Sequence, residues 1–236
     1  MRKLSVLAVV GLLAAFAMAD MVVLPNKFET NHGTTFQNTI MRGSGYPRSY
    51  QVIFDQSQLA NMPVGSVITG ISYRIQNDYA PWPPPPGAWW DDYEIRIGTP
   101  ATTVATMSRN FAQNLSGNEV LVQDGPYRVP DNYFVPGGVF PTVSLMFKET
   151  WTYPGGDIII DIRHPGGLHT DQNGYLEAAS TSDPEYGTTF RGLVGVTFPP
   201  TTGNFTYGYV IRLEYVVPEP FTLTTLLLVL PLLRRR

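Results

Sequence analysis

Val67-Ile68-Thr69-Gly70-Ile71-Ser72-Tyr73-Arg74-Ile75-Gln76 alternates in character from one residue to the next. In an extended chain Val67, Thr69, Ile71, Tyr73 and Ile75 share one face. Ile68, Gly70, Ser72, Arg74 and Gln76 share the other. Period-two patterning of β-branched and aromatic residues predicts a strand with one face in a core. The same pattern recurs at Tyr93, Ile95 and Ile97, which alternate with Glu94 and Arg96. It recurs again at Tyr207, Tyr209, Ile211, Leu213 and Tyr215. Further strands are expected over 36–41, 50–54, 119–122, 143–147, 157–163 and 188–193. Turn clusters separate them: Gly43-Ser44-Gly45, Asp124-Gly125-Pro126, Pro136-Gly137-Gly138, Gly155-Gly156 and Pro165-Gly166-Gly167. About eight to ten short strands with such punctuation predict an all-β fold, a single antiparallel β-sandwich of jelly-roll-like form. No repeat and no linker divides it, so one domain is expected over residues 20–216.

Composition agrees. The chain has 236 residues, with 22 glycines and 21 prolines, and 15% of its residues are charged. That is the turn-rich balance of an all-β domain. There are no cysteines, which excludes disulfides, thiolate metal sites and cysteine nucleophiles. Five of the 16 basic residues (Arg2, Lys3, Arg234, Arg235 and Arg236) lie at the two ends, leaving 11 against 19 acidic residues, a balance of −8. A domain this acidic repels phosphate backbones, so nucleic acid is not an expected partner.

The ends carry their own signals. Arg2 and Lys3 precede a nearly unbroken apolar run from Leu4 to Ala17. Ala17-Met18-Ala19 then supplies a small-x-small cleavage triplet, with Asp20 as the first mature residue. Residues 1–19 therefore read as a secretory signal helix for the export machinery and signal peptidase. At the other end, Val217-Pro218-Glu219-Pro220 leads into an apolar run from Phe221 to Leu233, closed by Arg234, Arg235 and Arg236. As a helix this run reaches only about 20 Å, against a hydrocarbon core of about 30 Å. Pro231 disfavours a regular helix as well. The arginines suit the cytoplasmic side. A short hydrophobic helix with transient membrane association is expected over residues 217–236.

That order of parts resembles the PEP-CTERM sorting signal of Gram-negative bacteria. The resemblance covers Val217 to Arg236. It implies recognition of Pro218, Glu219 and Pro220 by an exosortase-type membrane enzyme, removal of the tail, and a place at the cell envelope, outer surface or extracellular matrix with exopolysaccharide. Within the domain, 50–55, 67–74 and 156–162 resemble segments of a jelly-roll domain common among such proteins. That resemblance implies fold only.

Candidate sites are sparse. Pro81-Trp82-Pro83-Pro84-Pro85-Pro86-Gly87-Ala88-Trp89-Trp90 holds three of the four tryptophans. Consecutive prolines favour an extended, semi-rigid loop. Trp82, Trp89 and Trp90 are its candidate sugar-binding residues, with packing inside the sandwich as the competing role. Asp157, Asp161, His164, His169 and Asp171 bring oxygens and imidazoles into one stretch, but at no ligand spacing. No metal and no cofactor is assigned. Asp91 and Asp92 are expected to begin a strand on its solvent side. No nucleophile elbow and no H-E-x-x-H is present. The expected function is an exported, non-enzymatic structural or adhesive protein with exopolysaccharide contact. The alternative is a carbohydrate-active enzyme or a calcium-dependent carbohydrate-binding module on the same sandwich.

Overall fold

The computed structural model describes residues 19–42, 45–166 and 172–218. Among these the chain is all-β. In chain order the strands are β1 (Ala19–Leu24), β2 (Thr35–Gln37), β3 (Arg48–Phe54), β4 (Val67–Tyr73), β5 (Ala88–Trp90) and β6 (Glu94–Gly98). They continue with β7 (Val120–Gln123), β8 (Tyr127–Val129), β9 (Leu145–Thr152), β10 (Ile158–His164) and β11 (Leu176–Ala179). The last four are β12 (Phe190–Gly195), β13 (Asn204–Thr206), β14 (Gly208–Tyr209) and β15 (Ile211–Val216). Among the described residues the helices are short 3-10 turns, and none is long and apolar enough to cross a membrane. The expected signal helix and C-terminal hydrophobic helix, with Ala17, Glu219, Pro220 and Arg234 to Arg236, lie outside the described residues.

Four antiparallel sheets form. The largest runs β13-β12-β3-β10-β6-β7, and a second runs β1-β15-β4-β9. The sequence explains why β3 and β10 sit in the middle of the larger sheet. Ile158-Ile159-Ile160 and Val52-Ile53-Phe54 are β-branched or aromatic on both faces, which suits only a strand covered on both sides. They pair in unbroken register, from Ile158 opposite Phe54 to His164 opposite Arg48. Tyr50, Val52, Phe54, Ile158, Ile160 and Ile162 turn toward one apolar cluster, which also takes Ile68, Ile71, Tyr73, Ile211, Leu213 and Tyr215 from the second sheet. Ile53 and Ile159 turn the other way, under Val104, Met107 and Phe111 of the loop between β6 and β7. Asn114 Nδ2 donates to Gln51 Oε1 (3.0 Å), and Gln51 Nε2 donates to the Phe111 carbonyl (3.1 Å), so the buried Gln51 amide is paired on both its atoms.

Several expected boundaries change. The alternation of β4 is broken by a bulge: Glu214 faces Gly70 and Tyr215 faces Ile68, so Thr69 is the extra residue. Ile68 therefore joins Ile71 and Tyr73 in the core, instead of facing away from them. The strand expected over 36–41 stops at Gln37, and Thr39–Met41 forms a 3-10 turn that buries Ile40 and Met41. The expected strand 207–215 is interrupted between β14 and β15. The proline segment does not run straight. Gly87 N–H donates to the Pro84 carbonyl (2.9 Å), closing a turn, and Ala88–Trp90 then pairs with Tyr127–Val129. Asp92 lies just before β6 and is half-buried.

His164 ends β10 inside the core. Its Nε2–H donates to the Thr39 carbonyl (3.3 Å), and Nδ1 accepts from Gly166 N–H (3.1 Å). Its ring stacks on Tyr93 at 5.4 Å and 3°. Burial lowers its pKa to about 4, with nearby Arg48 adding to the effect and the Thr39 hydrogen bond opposing it. The unfolded chain binds this proton near 6.5. His164 therefore contributes stability that is complete above about pH 6.5 and lost as the pH falls toward 4, up to about 3 kcal/mol. His164→Gln should remove that part of the pH dependence; urea midpoints at several pH values, for both proteins, measure it.

Candidate functional site

Trp82 and Trp90 point inward. Trp82 exchanges backbone hydrogen bonds with Phe134 (both 2.9 Å), and its ring stacks on Phe134 at 5.9 Å. Its Nε1–H donates to the Gln172 carbonyl (3.2 Å). Trp90 packs against Tyr93, Tyr127 and His164. Both tryptophans are fully buried, so neither offers a ring face to a sugar. Trp89 is half-buried, with the Arg128 guanidinium 5.8 Å over its ring. Of the three, Trp89 alone keeps open surface.

Among the described residues, the acids and histidines singled out near 157–171 do not converge. Asp157 accepts from Gln56 N–H at 2.9 Å. Asp161 and His164 lie on opposite faces of β10, as a separation of three residues requires. Asp161 is fully buried and paired with Arg163 at 2.6 Å; burial raises its pKa, against Arg163, Arg96 and Gln51. His169 and Asp171 lie outside the described residues. A different acidic group forms at the end of β6, where carboxylate oxygens of Asp92, Glu94 and Asp124 lie within 4.8 Å of one another. Burial, then Glu94 and Asp124, raise the pKa of Asp92. Arg96 holds Glu94 at 2.5 Å, and Lys148 donates to the Asp124 carbonyl, so positive charge already attends this group.

A concavity lies elsewhere, at the small sheet β14-β11-β2. The end of β4 docks onto β11: Glu177 N–H donates to the Arg74 carbonyl (2.8 Å), and Gln76 N–H to the Tyr175 carbonyl (2.8 Å). A pocket of about 250 Å³ opens there, lined by His32, Thr35, Phe36, Gln76, Asn77 and Glu177. Glu177 organises its floor. One carboxylate oxygen meets Arg74 Nη2 (2.9 Å) and accepts from Gly33 N–H (3.0 Å). The other lies 3.0 Å from His32 Nδ1. The side chains of Arg74 and Glu177 are 5% and 4% exposed, so this is a buried ion pair. Burial lowers the pKa of Arg74, and Glu177 opposes that. Arg74 also sits 5.0 Å from the Phe140 ring. His32 remains at the rim, where Glu177 fixes its orientation.

Sequence reasoning missed this site. Arg74 was expected only on the strand face opposite Ile71 and Tyr73, and His32, Phe36 and Glu177 carried no motif. One signal was present: Leu176-Glu177-Ala178-Ala179 sets a lone acid in an apolar run, and a buried acid needs a buried cation.

No family model matches the chain, and neither a curated protein nor a solved structure matches it.

The ion pair should show the asymmetry of buried charges. Arg74→Met leaves Glu177 unpaired and should cost about 3–5 kcal/mol, whereas Arg74→Met with Glu177→Leu should recover most of that loss. Denaturant unfolding of the single and double variants measures both.

Proposed function

We propose that this chain is an exported protein of the bacterial cell envelope or extracellular matrix, with a structural or adhesive role, no catalysis, and contact with exopolysaccharide. The two larger sheets are read as the layers of a jelly-roll-like sandwich, because one apolar cluster takes side chains from both. The sorting reading rests on the signals at the two ends. It fits one geometric observation above all: β1 pairs with β15 so that Ala19 lies opposite Val216. The proposed cleavage point and the start of the Val217-Pro218-Glu219-Pro220 segment thus lie at the same end of one strand pair. Ala19 and Asp20 are exposed there. A domain so arranged brings Ala19 and Val216 together at one sheet margin.

The pocket is read here as a binding surface and not as a catalytic centre. Glycoside hydrolysis by two carboxylates needs a pair flanking the sugar bond. Glu177 is the one carboxylate among the described lining residues, and it is tied to Arg74 and His32. No hydroxyl hydrogen-bonds to His32 among the described residues, as an activated nucleophile would require. For the calcium-dependent alternative the group Asp92, Glu94 and Asp124 is the available feature, and Arg96 already engages Glu94.

Mass spectrometry of the exported protein tests the reading. The expected product begins at Asp20 and lacks the terminal arginines. A recovered peptide ending at Arg236 would contradict processing of the tail.

A further inference from the structure

We propose that the pocket at His32, Phe36, Gln76 and Asn77 is a binding subsite for one ring of a neutral saccharide. The inference rests on the exopolysaccharide contact proposed above and moves that contact away from the tryptophan segment.

Size comes first. At about 250 Å³ the pocket is smaller than sites that enclose drug-sized ligands, so it suits one ring of a longer chain entering from the open side. Shape is next. Phe36 lies directly opposite Glu177 in the β2–β11 pair, so the two side chains share a face of the small sheet. Its ring is 43% exposed. Tyr175 holds it edge-to-face at 5.7 Å, and Tyr79 continues the aromatic group 5.3 Å from Tyr175. A lone exposed aromatic means little. One at the lip of a concavity, braced by two tyrosines, is a platform for the apolar face of a pyranose.

The polar groups match. The side chains of Gln76 and Asn77 make no hydrogen bond among the described residues, and each can both donate and accept. Hydroxyls of a sugar ask for that double capacity. His32 is held through Nδ1 by Glu177, which leaves Nε2 for a ligand hydroxyl. Glu177 is thus a positioning residue, not a contact. Charge selects the class: Arg74 compensates Glu177 inside the floor, and no other cation or anion lines the described wall. A neutral sugar meets no unpaired charge there, while an acidic one finds no cation to bind.

The His32 ring is backed by main chain. Gly138 has φ +63, and a Cβ at that position would stand 2.1 Å from His32 Cε1. Absence of a side chain at Gly138 lets the 136–138 turn close over the His32 ring.

Binding of the purified full-length chain to soluble neutral glucans, mannans and galactans, and to alginate as an acidic control, tests the proposal. Binding to at least one neutral polymer is expected. Phe36→Ala and Asn77→Ala should each weaken it tenfold or more with the fold retained, since both residues are exposed. Gly138→Ala should weaken it without removing any contact group. Trp89→Ala should change it less than twofold. Unchanged binding in Phe36→Ala and Asn77→Ala would overturn the subsite. If Trp89→Ala abolishes binding that those variants keep, the subsite fails and the polysaccharide reading stands. Wild type that binds no polymer would overturn both, and binding to alginate alone would overturn the neutral class.

Discussion

Two strands covered on both faces constrain everything else in this molecule. β3 and β10 pair over seven residues without a bulge, and nearly all their side chains are buried. A strand pair of that kind needs a second layer on each side. The four-stranded sheet supplies one, through Ile68, Ile71, Tyr73, Ile211, Leu213 and Tyr215. The loop carrying Val104, Met107 and Phe111 supplies the other, fastened by the Gln51–Asn114 hydrogen bond. Hydrophobic burial at about 25 cal/mol per Å² makes such a centre the main source of stability in a chain with no disulfide. His164 closes the same strand as a neutral imidazole walled in by aromatics.

From that centre the sheets place the functional features at their margins. β15 carries β1 on one side and β4 on the other, so the described chain begins and ends within one sheet. β4 then leads from that sheet to β11, where the Arg74–Glu177 ion pair joins the second sheet to the small one. The same carboxylate orients His32, which couples the integrity of the pocket to a buried charge pair. Removing charge from that floor therefore affects fold and pocket together, whereas Phe36 and Asn77 change the pocket alone.

Much of the sheet architecture was legible in the sequence. The runs at 50–54, 93–97 and 157–163 are rich in β-branched and aromatic residues, and each became a strand in the centre of the large sheet. Short strands were not legible. Leu176–Ala179 contains two alanines and an acid, a poor strand composition, and it is extended because β2 and β14 pair with it. The bulge at Thr69 depends on the register of β15, 145 residues away, and local alternation carries no trace of it. The tryptophan segment stood out by composition, but its aromatics were recruited to packing by Phe134, Tyr93 and Tyr127. The pocket was invisible for a related reason: His32 and Glu177 are 145 residues apart and meet only when β2 pairs with β11.

The shared margin of β1 and β15 brings Ala19 and Val216 to one end of a strand pair, and it can be measured directly. Met21 and Glu214 are register partners, and Met21 is exposed. Directly opposed strand residues lie about 4.5–5.5 Å apart, within disulfide range. The chain has no cysteine to compete. In the purified full-length chain carrying Met21→Cys and Glu214→Cys, an intramolecular disulfide is expected, seen as a cross-linked peptide that reduction releases. Two free thiols in a folded, oxidised sample would contradict the pairing and, with it, the juxtaposition of Ala19 and Val216.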